Sequence, residues 1–152
     1  MEERAIETIS RGICVKDGAV LVCKGLKAGN LYFPGGHIEF GETGRRALER
    51  EMLEECGLES KAGAFLGVAE HTFVQNGEDH AEINLVYALD VPGADPASPP
   101  KALEGWIAFE WIPAGELAES TVEPAALRRV ALGWIAAKGA AADRIVATDG
   151  MA

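Results

Sequence analysis

Residues 36–58 read GHIEFGETGRRALEREMLEECGL, and the second half of that stretch carries a helical period. Leu48, Met52 and Cys56 recur at i, i+4 and i+8, which places three apolar side chains on one stripe. Thr43 suits the N-cap and Gly57 the C′ position, where a left-handed residue closes a helix. The spacing predicts a helix over 43–56. Glu51, Glu54 and Glu55 fall in a different sector: at about 100° per residue, Glu55 lies roughly 40° to one side of Glu51 and Glu54 about 60° to the other. Like charges one turn apart destabilise a helix by roughly 0.2–0.5 kcal/mol per pair, and the last turn favours Lys or Arg. Stability alone would not select this face. A solvated acidic surface is the bland account of three glutamates. It loses weight because Gly35-Gly36 and Gly41-Glu42 stand upstream, where a missing Cβ lets the chain approach a ligand, and because Arg50 is placed to orient a carboxylate.

Around this helix the chain alternates strands and turns. Ile6–Val15 and Ala19–Cys23 are β-branched and apolar runs on either side of Lys16-Asp17-Gly18, a strong hairpin signal. Leu31-Tyr32-Phe33 is a short apolar stretch stopped by Pro34-Gly35-Gly36. Beyond the helix, 64–74 and 81–91 read as two strands around the turn-prone residues 75–79, and Glu82 and Asn84 lie on the polar face of the second. The segment 92–100 holds four prolines and must be a surface loop. Residues 106–112 read as a strand, 113–120 as a short helical turn, and 124–138 as a helix with Leu127, Ala131, Trp134 and Ile135 inward. Residues 139–152 form an Ala-rich tail with little signal. A length of 152 residues suits one domain, placed at 1–138, and the interleaved elements favour a layered α/β arrangement.

Composition narrows the function classes. Apolar residues make up 48% and charged residues 25%, which excludes a disordered or fibrous chain. Asp and Glu number 24 against 14 Lys and Arg, a formal net charge of −10, so a nucleic-acid polymer is not the expected partner. No stretch suits a bilayer span, and Met1-Glu2-Glu3-Arg4 lacks the order of a secretory signal. The expectation is a soluble, cytoplasmic protein that does not bind membranes. Cys14, Cys23 and Cys56 form no CxxC pair and read as small buried apolar side chains.

Convergent carboxylates without sulfur or clustered imidazole make an oxygen-only site, which suits a hard cation. Mg2+ fits best, with Mn2+ as a substitute. The cation would also reconcile an acidic protein with an anionic substrate, because a bridged diphosphate needs its charge offset while a carboxylate takes a proton from water.

Gly36, Glu42, Arg50-Glu51, Met52, Glu54-Glu55, Gly57 and Leu58 match in full the spacing of the Nudix box, and the chain resembles the Nudix hydrolases over these 23 residues. A chance match is on the order of 10⁻⁷ at average residue usage. Phe33-Pro34-Gly35-Gly36, Trp111-Ile112-Pro113 and Glu116-Leu117 resemble further family features. The resemblance implies an α/β/α sandwich with a mixed β-sheet and an enzyme that splits a phosphoanhydride bond in a nucleoside diphosphate linked to another moiety. It implies a metal set of Gly36, through its carbonyl, with Glu51, Glu54 and Glu55. Arg50 would orient the glutamates, Glu42 would support the helix entrance, and Glu51 or Glu54 would take the proton, with Glu82 as a contributor from outside the box. Glu82, Asn84 and Phe33 are the candidate substrate contacts. A nucleoside triphosphate, plain or modified, leads the substrate classes by elimination; ADP-ribose or a nucleotide sugar is the alternative, and a non-catalytic nucleotide-sensing module is the alternative of another class. A homodimer is compatible with the sequence. His37 reads as an exposed loop residue beside the glycines that could touch phosphate, His71 and His80 without a third ligand do not make a transition-metal site, and Tyr32, Phe33, Trp106 and Trp111 read more readily as core than as stacking platforms.

Overall fold

The computed structural model describes residues 4–139 and 145–149. In chain order the elements are β1 (Glu7–Ile13), β2 (Val15–Lys16), β3 (Ala19–Gly25), β4 (Leu31–Tyr32), β5 (Gly35–His37), α1 (Gly44–Cys56), β6 (Lys61–Gln75), β7 (Glu78–Asp90), β8 (Ile107–Pro113), a 3₁₀ turn (Ala114–Glu119), β9 (Val122–Glu123), α2 (Ala125–Ala136) and β10 (Ile145–Asp149). Two hairpins close on two-residue turns with left-handed backbone: Asp17 and Gly18 have φ of 50° and 75°, and Asn76 and Gly77 have 54° and 80°. That twist matches the right-handed twist of the flanking strands. The Asn-Gly turn extends β6 and β7 through residues expected to be loop.

The strands form two mixed sheets. One runs in the order β10-β6-β7-β1-β5, with β1 parallel to β7 and antiparallel to β5. In the other, β3 carries β2 and β4 along one edge and β8 along the opposite edge, and β9 follows β4. The stretch expected as one strand over 6–15 therefore splits: it leaves the first sheet after Ile13 and enters the second at Val15, with the Leu21 N–H donating to the Cys14 carbonyl at 3.0 Å. Ile145–Asp149 pairs parallel with β6, so a strand stands in a stretch where no regular element is expected; residues 140–144 and 150–152 of that tail lie outside the described residues.

β3 is buried on both faces, and its alternation divides the core. Val20 and Val22 pack with Ile13, Phe33, Val86, Leu127 and Val130 beneath α2, while Leu21 and Cys23 pack with Leu48, Met52, Tyr87, Leu89 and Phe109 beneath α1. Each fully buried Val, Leu or Phe contributes about 1.5–3 kcal/mol, so the two cores fix both helices against the sheets. The Leu48, Met52 and Cys56 stripe is buried as the period requires, and all three cysteines are free and buried. Thr43 caps α1, its Oγ1 accepting from the Arg46 N–H at 3.3 Å, and Gly57, at φ 70°, donates to the Leu53 carbonyl at 2.9 Å. Among the described residues, no helix is long and apolar enough to cross a membrane.

Leu48 has no exposed surface. Leu48→Ala should therefore lower unfolding free energy by about 2–5 kcal/mol through lost burial and the cavity left behind. Urea unfolding followed by circular dichroism measures it; a loss below about 1 kcal/mol would contradict this packing.

Candidate active site

The acidic face of α1 is organised by Arg50. Its Nη2 and Nε donate to the two oxygens of Glu42 at 2.6 and 3.1 Å, its Nη1 donates to Glu51 Oε1 at 3.0 Å and Glu54 Oε2 at 3.3 Å, and Nη2 also reaches the His37 carbonyl at 3.0 Å. Planar guanidinium matches carboxylate geometry in a way that an ammonium does not. The fork fastens the loop 38–43 to the helix it introduces, and Glu42 accepts the Glu39 N–H at 2.9 Å on the same oxygen. The hydrogen bonds from Arg50, then that from Glu39, hold the Glu42 carboxyl down at about 2. Arg50 in turn is held charged, chiefly by Glu42.

Glu55 stands apart from this network. It is buried, at 8% exposure, and its Oε2 has no hydrogen-bond partner. Burial first, then the charge of Glu51, pushes its carboxyl up to about 8. An orphaned carboxylate oxygen in a buried position is costly unless a cation or donor meets it. Gly36 supplies the second sign of a built site: a Cβ there would come within 2.4 Å of the Glu51 carboxyl carbon, so only glycine lets Glu51 lie against this strand. Both features, with an all-oxygen donor set, suit a hard divalent cation. Among the described residues, no three His, Cys, Asp or Glu side chains close on one centre; Glu51 and Glu54 turn towards Arg50.

Glu104, which the sequence reading did not single out, joins this group. The Leu103 N–H donates to the Glu55 carbonyl at 2.7 Å and pins the segment ahead of β8 beside the end of α1. The Glu104 carboxyl is raised by burial and by the charges of Glu51 and Glu54, which places it in their field. An isolated acid in the irregular stretch that follows the prolines carries no period by which to find it.

On the other face of the first sheet lies a cavity of about 950 Å³, whose lining includes Arg11, Tyr32, His71, Phe73, Glu82 and Arg128. Side chains alternate along β7: Leu85, Tyr87 and Leu89 join the core under α1, while Val86 joins the core under α2. Glu82 and Asn84 share the parity of Val86, so Glu82 faces the cavity and not the glutamates of α1. Glu82, expected as a carboxylate contributed from outside the box, thus lines the cavity. Asn84 is fully buried, with Nδ2 donating to the Ala69 carbonyl at 3.3 Å and to Glu82 at 3.4 Å, and it supports the cavity wall from behind. Phe33 was expected at the substrate; it is fully buried in the core beneath α2 and does not line the cavity. Its neighbour Tyr32 lines the cavity instead, with the Arg11 guanidinium 5.6 Å from its ring centroid. Arg11 Nη1 donates to the carbonyls of Phe33 at 3.0 Å and Gly35 at 3.4 Å, and its charge acts on both Glu55 and Tyr32. It joins the acidic face to the cavity. Burial, more than any neighbouring charge, pushes the Tyr32 hydroxyl up to about 12. His37 lies 3.4 Å from Glu7 and is exposed, Trp106 is exposed, and Trp111 packs against the core.

The family model for the NUDIX domain matches residues 7–132. The chain is 37% identical over 87 residues to an ADP-ribose pyrophosphatase of Methanocaldococcus jannaschii, covering 55% of this chain and 50% of that protein. It is 30% identical over 118 residues to a Mycobacterium tuberculosis protein named "Putative 8-oxo-dGTP diphosphatase 2", covering 71% of this chain and 82% of that one. The chain thus spans half the length of the first relative and most of the second. The crystal structure of a MutT protein from Methanosarcina mazei has a similar fold, with a TM-score of 0.70 at 19% identity, covering 91% of this chain and 99% of that one.

The raised Glu55 carboxyl has a consequence for chelator-treated protein. Its folded value, about 8, lies above the ordinary 4.5, so the folded state holds more protons than the unfolded chain between those values. Stability in chelator should fall as pH rises from about 4.5 to 8, and saturating Mg2+ should flatten that decline. Thermal melts across this range test it; identical pH profiles with chelator and with Mg2+ would contradict the assignment.

Proposed function

Since the chain belongs to the Nudix hydrolase family, we propose that it is an Mg2+-dependent pyrophosphohydrolase, with Mn2+ as a substitute, acting on a nucleoside triphosphate, plain or modified. The observation that carries this reading is the orphaned Glu55 oxygen on a carboxylate face whose Glu51 packs against Gly36; a cavity of about 950 Å³ whose lining includes Arg11 supports it. Glu51, Glu54 and Glu55, with the Gly36 carbonyl, would hold the cation, and Glu104 would add a carboxylate from outside the helix. A bound divalent cation would offset charge on the departing phosphate and help ionise the attacking water.

The chain's own groups set the rest. Arg50 Nη1 gathers Oε1 of Glu51 and both oxygens of Glu54 on one side of the helix. Glu54 is about half exposed, at 52% for its side chain against 17% for Glu51. Of the two candidates it is therefore the better placed to take a proton from water and return it to solvent. Arg11 places positive charge where the acidic face meets the cavity, which draws a phosphate between them and counters the repulsion expected from a chain of net charge −10. The cavity then takes the nucleoside, with Tyr32 and Phe73 as apolar surfaces.

An ADP-ribose or nucleotide-sugar substrate is the second reading, favoured by the name of the M. jannaschii relative. Assay of a panel of nucleoside triphosphates, ADP-ribose and nucleotide sugars separates the two by the highest kcat/KM. With the best substrate, Glu54→Gln should lower kcat by about 10²–10⁴-fold while leaving the melting temperature nearly unchanged. Turnover within about threefold of the parent would overturn the role of Glu54.

A further inference from the structure

β1 turns small residues towards the helix that carries the acids. Ser10 and Gly12 share that face, and a Cβ at Gly12 would come within 2.7 Å of Leu89 and 3.1 Å of Leu48. Gly44, the first residue of α1, is as tightly enclosed, since a Cβ there would come within 2.6 Å of the Tyr87 hydroxyl. The start of the helix is thus wedged between β1 and β7. An apolar side chain of similar size would fill the place of Ser10 equally well, yet the residue is a serine with no exposed surface, and its Oγ donates to the Gly44 carbonyl at 2.7 Å. Burying a hydroxyl costs free energy that its hydrogen bond must offset. Packing alone does not account for it.

The location of this contact shows what it sets. Ser10 stands directly opposite Gly36 in the antiparallel pairing of β1 with β5, so the two residues present one face to α1. Gly36 meets the helix at Glu51, where a Cβ would come within 2.4 Å of the carboxyl carbon. One strand pair therefore touches α1 at two levels, at Gly44 through Ser10 and at Glu51 through Gly36. Those levels lie about 10.5 Å apart along the axis at helical rise, and helical side chains lean back towards the helix start, which carries the Glu51 carboxylate towards the strands. The glycine only leaves room. A hydrogen bond to a carbonyl fixes distance and angle together, so the Ser10 hydroxyl is the contact that sets where α1 stands on the strands.

We propose that Ser10 is a positioning residue for the metal: through Gly44 it holds α1 at the level along β1 and β5 that lets the Glu51, Glu54 and Glu55 carboxylates and the Gly36 carbonyl serve one divalent ion. This rests on the cation reading of the acidic face given above. Ser10 touches neither the ion nor the substrate. Its hydroxyl contributes little to stability, because without it the Gly44 carbonyl still accepts from the N–H four residues on. Metal affinity is where its loss registers, since groups that orient a metal's ligands from behind change affinity by about 10–100-fold when removed.

Titration with Mn2+, followed by electron paramagnetic resonance of the free ion, tests this without turnover. The proposal expects Ser10→Ala to raise the Mn2+ Kd at least about fivefold while melting within a few degrees of the parent in chelator. Val130→Ala serves as the control for stability, because Val130 is fully buried in the core beneath α2, away from the acids. It should melt lower than Ser10→Ala yet bind Mn2+ within about twofold of the parent. A rise of less than about fivefold in Ser10→Ala, or an equal rise in Val130→Ala, would overturn the role of Ser10. Should Ser10→Ala not fold, Ser10→Cys, a weaker donor of similar shape, is held to the same limit. A parent protein that binds no Mn2+ sinks the cation reading and this inference with it; a parent that binds Mn2+ no better than Ser10→Ala sinks this inference alone.

Discussion

One guanidinium holds together a helix face that like charge would otherwise push apart. Glu42, Glu51 and Glu54 all accept from Arg50, and the same side chain reaches the His37 carbonyl, so the loop before α1 and the acids along it become one unit. Exposed ion pairs contribute little, and a network with a two-pronged contact contributes more. Its effect here is positional: it sets where Glu51 and Glu54 lie. Glu55 receives no share of it and is left buried with an oxygen unmet. A cation accounts for that oxygen without any change in the fold.

Adjacent residues of β1 couple this helix to the cavity. Ser10 points to the α1 side, where its Oγ donates to the Gly44 carbonyl at 2.7 Å and fastens the first turn of the helix. Arg11 points the other way, under Tyr32, and carries positive charge to the cavity. Strand parity thus divides the labour between two faces, and Gly35 and Gly36 thin the strand edge between them. At Gly35, a Cβ would come within 1.9 Å of the Ser10 carbonyl oxygen, so the backbone approach itself excludes any larger residue. The chemistry is placed by the close passage of β5 along β1 as much as by the acids themselves.

The helix was legible because its period, cap and closing glycine agree, and so were the contacts of Arg50, one position before Glu51 and one turn before Glu54. The hairpins were legible for a similar reason, since Asp-Gly and Asn-Gly each name a turn. What the sequence hid was mostly parity and long-range pairing. Tyr32 and Phe33 are adjacent aromatics, and nothing local says which of them faces the cavity. Glu82 lies on a polar strand face, yet which side of the sheet that face looks towards depends on how β7 pairs with β1. Glu104 is brought to the acids by a backbone hydrogen bond between segments nearly fifty residues apart. β10 is an edge strand whose pairing with β6 owes nothing to its own short-range pattern.

The central claim is that the acidic face of α1 chelates. Anomalous diffraction from crystals grown with millimolar Mn2+ tests it most directly. The account predicts a peak within about 2.5 Å of carboxylate oxygens from at least two of Glu51, Glu54 and Glu55, with Glu51 or Glu54 turned from Arg50 to meet it. Carboxylates still gathered on Arg50, with no anomalous peak among them at that concentration, would contradict it.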